Sequence, residues 1–187
     1  MKVLLFNGSP NEKGCTYTAL TEVANALTNN GVEAEICYIG EQADYGKAAL
    51  AYKDKIAQAD GFVFGSPVYY ASATGIITGF LDKLFGVCGK DLAYKPGAAV
   101  VSCRRGGASS TFDMLNKYFT INNMPVVSSN YWNMVHGNVP DEVLKDEEGM
   151  QTMRMLGKNM AWLVKCINAA DIEKPEQETK IRTNFIR

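Results

Sequence analysis

The chain has no C-x-x-C pair. Its five cysteines, Cys15, Cys37, Cys88, Cys103 and Cys166, are scattered along its length. An odd, dispersed set of thiols argues against a disulfide framework, withdraws support from zinc or iron–sulfur ligation and fits reduced thiols in a cytoplasmic protein. Neither sign of charge dominates, with 19 basic residues against 20 acidic ones, so the sequence carries no basic footprint for nucleic acid and no acidic tail. No window approaches the roughly 18 apolar residues of a membrane span, and the first apolar run stops at Asn7, too early for a secretory signal. Nor does a Ser/Pro-rich linker or composition shift divide the 187 residues, which predicts one domain over 1–170 followed by a short tail, 171–187.

The stretch Lys2–Leu20 also lacks the residues of three well-known phosphate loops. Gly8 and Gly14 are separated by five residues and Cys15 stands where an ATP-type loop needs lysine. Ser9-Pro10 after Gly8 breaks the dinucleotide pattern G-x-G-x-x-G. A thiol phosphatase needs an arginine six residues after its nucleophile, but Thr21 and Ser109 occupy those positions after Cys15 and Cys103. What is there is a short apolar run, Val3–Phe6, a small polar loop with Gly8, Ser9, Asn11, Gly14 and Thr16, and a helical pattern from Thr16. Such a loop presents amides and hydroxyls at the positive end of a helix and predicts a cradle for a bound phosphate monoester.

The rest of the chain repeats that unit. Strands are expected at Val32–Ile39, Phe62–Phe64, Ala98–Cys103 and Pro125–Ser128, and helices at Lys47–Ala59, Gly75–Phe85, Ser110–Ile121 and Asp146–Ala170. Alternating strands and helices with near-continuous apolar strands predict an α/β fold, a doubly wound five-stranded parallel sheet of order 2-1-3-4-5 with helices on both faces. In that order the loops after strands one, three and four meet at the carboxyl edge, where such sheets bind ligands. The second of these loops offers Tyr69 and Tyr70 to a flat apolar body, for which ring stacking contributes about 1 kcal/mol beyond burial. The third offers the cations of Arg104 and Arg105 and a flexible backbone at Gly106 and Gly107.

Gly8–Thr16 resembles the phosphate loop G-S-P-x-x-x-G-N-T of the NAD(P)H-dependent FMN reductases, flavoproteins of the flavodoxin-like superfold, and Gly65–Tyr70 is similar to their flavin loop G-S-P-x-Y. The resemblance implies that Ser9, Asn11, Cys15, Thr16 and Tyr17 hold the phosphate of FMN, and that Pro67, Val68, Tyr69, Tyr70 and Ser72 line its ring. Cys15 replaces the family's asparagine with a weaker donor. Related iron–sulfur flavoproteins carry a compact cysteine cluster between strands two and three, and Gly40–Asp60 has no cysteine, so no metal centre is expected.

The function expected on this basis is an FMN-dependent oxidoreductase that accepts hydride from NADPH or NADH and reduces a small acceptor, a quinone, nitro compound or flavin. The alternative is an FMN-carrying electron-transfer flavoprotein, which near-neutral charge and the arginines of the third loop disfavour. The flavin carries the chemistry, so no protein residue is assigned a catalytic role. A homodimer or homotetramer is implied by the resemblance, with the tail docking on a neighbouring subunit. His136 is read as structural or solvent-facing, Trp132 as buried in the core, and Met150, Met153, Met155 and Met160 as helix packing.

Overall fold

Strand β1 (Lys2–Asn7) is buried at every position from Val3 onward. A strand buried on both faces requires helices above and below the sheet. The computed structural model, which describes every residue except Gln177 and Arg187, supplies them. After β1 come α1 (Cys15–Asn29), β2 (Glu33–Tyr38), α2 (Tyr45–Ala51), α3 (Lys53–Gln58), β3 (Gly61–Tyr69), β4 (Ser72–Ala73) and α4 (Gly75–Leu92). Then follow β5 (Gly97–Cys103), α5 (Ala108–Thr120), β6 (Met134–His136), α6 (Pro140–Val143) and α7 (Glu147–Ala169). The parallel strands lie in the order β2-β1-β3-β5-β6, and β4 pairs antiparallel with the end of β3. Apart from that hairpin this is the expected doubly wound sheet.

The two-residue period of β1 sorts its side chains between two cores. Val3 and Leu5 meet Leu20 and Val23 of α1 and Met153, Leu156 and Met160 of α7, an aliphatic layer. Leu4 and Phe6 face the other way, into a layer with Phe64, Phe80 and Phe119. There the rings of Phe64 and Phe119 stack at 5.3 Å with an interplanar angle of 3°. Each such fully buried side chain contributes roughly 1.5–3 kcal/mol.

Three expectations are corrected. The helix expected over Lys47–Ala59 is two helices, α2 and α3, joined at Tyr52. Tyr52 turns its ring onto Phe6 and Phe80, at 5.1 and 5.8 Å, and the core contact overrides helix propensity there. The last strand is Met134–His136 instead of Pro125–Ser128, which contributes one bridge, Val126 to Gly97. Between them the chain leaves the sheet in a turn tied by Ser129, whose hydroxyl bonds the Tyr131 carbonyl at 2.6 Å and Asn133 Oδ1 at 2.7 Å. Trp132 rides on that turn and is 54 % exposed, not buried in the core.

Beyond Ala169 the described residues form no regular element, and Ile172, Ile181, Phe185 and Ile186 are exposed. Two residues of the expected tail, Gln177 and Arg187, lie outside the described residues. Among the described residues no helix is long and apolar enough to cross a membrane.

Candidate functional site

The carboxyl ends of β1, β3, β5 and β6 surround a cavity of about 350 Å³. Helix α1 begins at its edge. Its N-cap residue is Gly14, whose missing side chain leaves the first-turn amides without a side-chain acceptor. An uncapped start on a 15-residue helix attracts an anion through both those donors and the helix dipole.

The loop between β1 and α1 is shaped by its own hydrogen bonds. Asn7, fully buried, accepts the Ser9 amide on Oδ1 at 3.1 Å and donates from Nδ2 to the Glu12 carbonyl at 2.9 Å. The Ser9 hydroxyl accepts the Asn11 amide at 3.1 Å. Thr16 is buried on the floor, its hydroxyl 2.8 Å from that of Ser102 at the end of β5. Ser9, Asn11, Cys15 and Thr16 all line the cavity; Tyr17 does not, its ring lying under the Lys13 ammonium at 3.9 Å. That cation draws the Tyr17 phenol below its usual pKa.

The second wall is the end of β3, with Pro67, Val68 and Tyr69 on the cavity. Ser66 stays behind it. Its hydroxyl accepts the Thr74 amide at 3.1 Å and donates to the Pro67 carbonyl at 2.8 Å, closing the base of the β3–β4 hairpin. The pairings Val68–Ala73 and Tyr69–Ser72 leave Tyr70 and Ala71 as the two turn residues, at φ 51° and 58°. Left-handed backbone at two successive residues is the geometry of the tight hairpin turn, where asparagine and glycine are favoured; tyrosine and alanine there carry strain. The start of α5 and its cap residue brace this turn. Ser110 donates from Oγ to the Ala71 carbonyl at 2.6 Å, and a Cβ on Gly107 would lie 2.7 Å from the Ala71 Cα.

Arg104 lines the cavity and supplies its one charged side chain, whereas Arg105 and Gly106 are exposed outside it and Gly107 caps α5 at φ 91°. Tyr70 projects fully into solvent and Ser72 is spent on the hairpin, so neither lines the cavity. Sequence reasoning missed Ser102, Gly137 and Asn138 on the lining, and Asn7 beneath the loop. For Asn7 and Ser102 the signal was available, a polar residue ending an otherwise apolar buried strand. Gly137 and Asn138 followed a strand displaced from its expected place.

Cys15 donates from Sγ to the Gly137 carbonyl at 3.7 Å, bridging α1 to the loop after β6. Burial raises the pKa of both Cys15 and Cys103, so neither is an activated thiolate. His136 is half exposed at the end of β6, its backbone amide held by Asp146 Oδ2 at 2.7 Å, and does not line the cavity. A larger hollow of about 610 Å³ lies between the ends of α4 and α5 and the tail, away from the strand carboxyl ends.

An uncapped helix start, the Arg104 cation and the wall of Pro67, Val68 and Tyr69 meet at the carboxyl edge of a doubly wound sheet, the edge where sheets of this kind bind ligands. The family model for NADPH-dependent FMN reductases matches residues 1–139, and the chain belongs to that family: it is a flavoprotein of the oxidoreductase class. An iron–sulfur flavoprotein of the archaeon Methanocaldococcus jannaschii is 29% identical over 191 residues, covering 89% of this chain and 99% of the relative. Among solved structures, RosB with a bound 8-demethyl-8-formylriboflavin 5′-phosphate intermediate superposes with a TM-score of 0.73 at 15% identity, over 100% of this chain and 92% of that one. An archaeal flavodoxin gives 0.67 at 16% identity, over 88% and 99%. At those identities the likeness is one of fold.

The donors present here do not fit an iron–sulfur cluster. Cys37 and Cys88 are separate members of the aromatic core, Cys166 is exposed on α7, and all five cysteines are free. Among the described residues no group of three or more His, Cys, Asp or Glu is placed to hold a metal.

Proposed function

We propose that the protein is an FMN-dependent oxidoreductase that takes hydride from NADPH or NADH and reduces a small acceptor, a quinone, nitro compound or flavin. The observation that carries the reading is the pairing, in one cavity without an acidic side chain, of the uncapped start of α1 with Arg104. Bound there, FMN supplies the two-electron chemistry. The amides of the first turn of α1, with Asn11, bind the phosphate, and Thr16 and Ser102 set the floor beneath it. Pro67, Val68 and Tyr69 form the wall for the ring. The Arg104 guanidinium favours the negative charge that two-electron reduction leaves on the ring edge, each charge-assisted bond contributing roughly 1.5–3 kcal/mol. Cys15 supports the phosphate loop through Gly137, a substitute for the stronger amide donor of the family pattern. Tyr17, Tyr70, Ser72, Arg105, Gly106 and Gly107 act around the site instead of on it.

Purified protein titrated with FMN, then with NADPH or NADH under argon, tests this. The expected result is stoichiometric yellow protein that bleaches within the mixing time. Protein that binds FMN but is not reduced by either nicotinamide would support the electron-transfer alternative instead.

We infer also that the active form is a cytoplasmic homodimer or homotetramer in which the tail docks on a neighbouring copy. Four large apolar side chains exposed within residues 171–186 support that reading. Light scattering of the full chain and of a 1–170 truncation checks it; an unchanged size opposes it.

A further inference from the structure

Past the last rung of the parallel ladder between β3 and β5, Pro67 opposite Ser102, the two strands part. Val68 and Tyr69 run on into the β3–β4 hairpin and form a wall of the cavity at the carboxyl edge, while Cys103 and Arg104 lead toward α5 and supply its cation. The spacing of wall and cation is therefore set beyond the ladder and not by it. The two arms meet again at the tip of the hairpin. Ser110, in the first turn of α5, donates from Oγ to the Ala71 carbonyl at 2.6 Å, with the Gly107 carbonyl as an alternative acceptor at 3.1 Å. That second carbonyl is anchored to the helix by the Thr111 amide at 3.2 Å and the buried Thr111 hydroxyl at 2.8 Å. Gly107 itself lies so close to the hairpin that a Cβ there would come within 2.8 Å of Val68 Cγ1.

This latch holds nothing in the core. Ser110, Tyr70 and Ala71 are all exposed, so no buried packing depends on the bond. What depends on it is backbone shape. Tyr70 at φ 51° and Ala71 at φ 58° are in the left-handed region, which residues of these types keep only where their surroundings impose it. Without the latch the turn is free to relax, and Tyr69, whose pairing with Ser72 closes that turn, moves with it.

We propose that Ser110 is a positioning residue: by latching the Tyr70–Ala71 turn to the start of α5 it fixes the wall of Val68 and Tyr69 relative to Arg104, and so sets how strongly Arg104 favours a reduced flavin. The inference rests on the FMN reading and deepens it. Ser110 does not line the cavity and acts through groups that do. Attraction between the guanidinium and negative charge falls with distance. A wall free to drift from Arg104 therefore weakens binding of the reduced, negatively charged ring more than that of the oxidised, neutral one.

The test is Ser110→Ala in the full chain loaded with FMN, titrated anaerobically with dithionite against a dye of known potential. The dissociation constant of oxidised FMN is expected to rise about twofold and that of reduced FMN about tenfold, a ratio of about five that lowers the two-electron potential by about 20 mV. Ser110→Thr keeps the hydroxyl and is expected to restore both constants. With Arg104→Gln already in place, Ser110→Ala is expected to lower the potential no further, since the group it acts through is gone. A merely structural serine would change the melting temperature and leave the potential where it was. An unchanged potential in Ser110→Ala, a Ser110→Thr variant no better than alanine, or the same fall retained beside Arg104→Gln overturns the proposal. Failure of the reductase reading looks different. In that case nicotinamide leaves the parent flavin oxidised, while dithionite still reports the shift between parent and Ser110→Ala; a parent that takes up no FMN overturns both.

Discussion

The same triplet, Gly-Ser-Pro, leaves β1 at Gly8 and continues β3 at Gly65, and the two copies touch, the Gly8 amide donating to the Gly65 carbonyl at 2.9 Å. Their serines nonetheless do different jobs. Ser9 bonds forward to Asn11 and bends the chain around the start of a helix, whereas Ser66 bonds across to Thr74 and closes a hairpin. One copy yields a loop without left-handed residues, the other a strained turn that points Tyr70 into solvent. A short motif therefore fixes where the backbone turns, because glycine admits the neighbouring helix; what the turn presents is decided by the residues that catch the serine.

The comparison can be broken most severely at the glycines. A Cβ on Gly8 would sit 2.4 Å from the Cβ of Ile77, close to the backbone of α4, while on Gly65 it would meet only the Leu20 and Thr16 side-chain tips at 2.9 Å. Gly8→Ala is expected to lose about 3 kcal/mol of stability and Gly65→Ala about half of that, read from urea midpoints at constant slope. Next comes Ser66→Ala, which leaves the buried Thr74 amide without its acceptor and costs about 2 kcal/mol of stability. Flavin affinity in that variant should fall less than stability does. Ser9→Ala reverses the pattern: the Asn11 amide it frees is near solvent, so the melt should barely move while the dissociation constant for FMN rises about tenfold, about 1.4 kcal/mol. Equal effects of the two serine substitutions on melting would erase the distinction drawn here. The smallest expected effect is a gain. Tyr70→Gly removes left-handed strain from the hairpin tip and should raise stability by about 1 kcal/mol, with flavin content unchanged since that ring is off the cavity.

Much of this was legible in the sequence because it depends on period and punctuation. The wholly apolar strands announced a sheet covered on both faces, and Asn7-Gly8, Asp60-Gly61 and Gly106-Gly107 fell where chains turn. The loop after β1 was readable for the same reason, since its distinguishing feature is backbone at an uncapped helix start. What could not be read depends on contacts across the fold. Tyr52 looks like any helical residue until Phe6 and Phe80 are beside it. Val126 and Val127 have the composition of a strand, yet Ser129 diverts the chain and the sheet resumes only at Met134. Arg104 and Arg105 are equivalent on paper, and only the course of the loop after β5 puts the first on the cavity and leaves the second in solvent.

The amide of Asn7, bonded on both its ends within the polypeptide, has a bearing on how the proposed cofactor would load. Because the loop is held in shape from beneath by a side chain, a flavin bound there as proposed would have little chain to order on arrival. On that reading, the rate at which newly made protein becomes coloured should track how much free cofactor is present, with no slow rearrangement interposed.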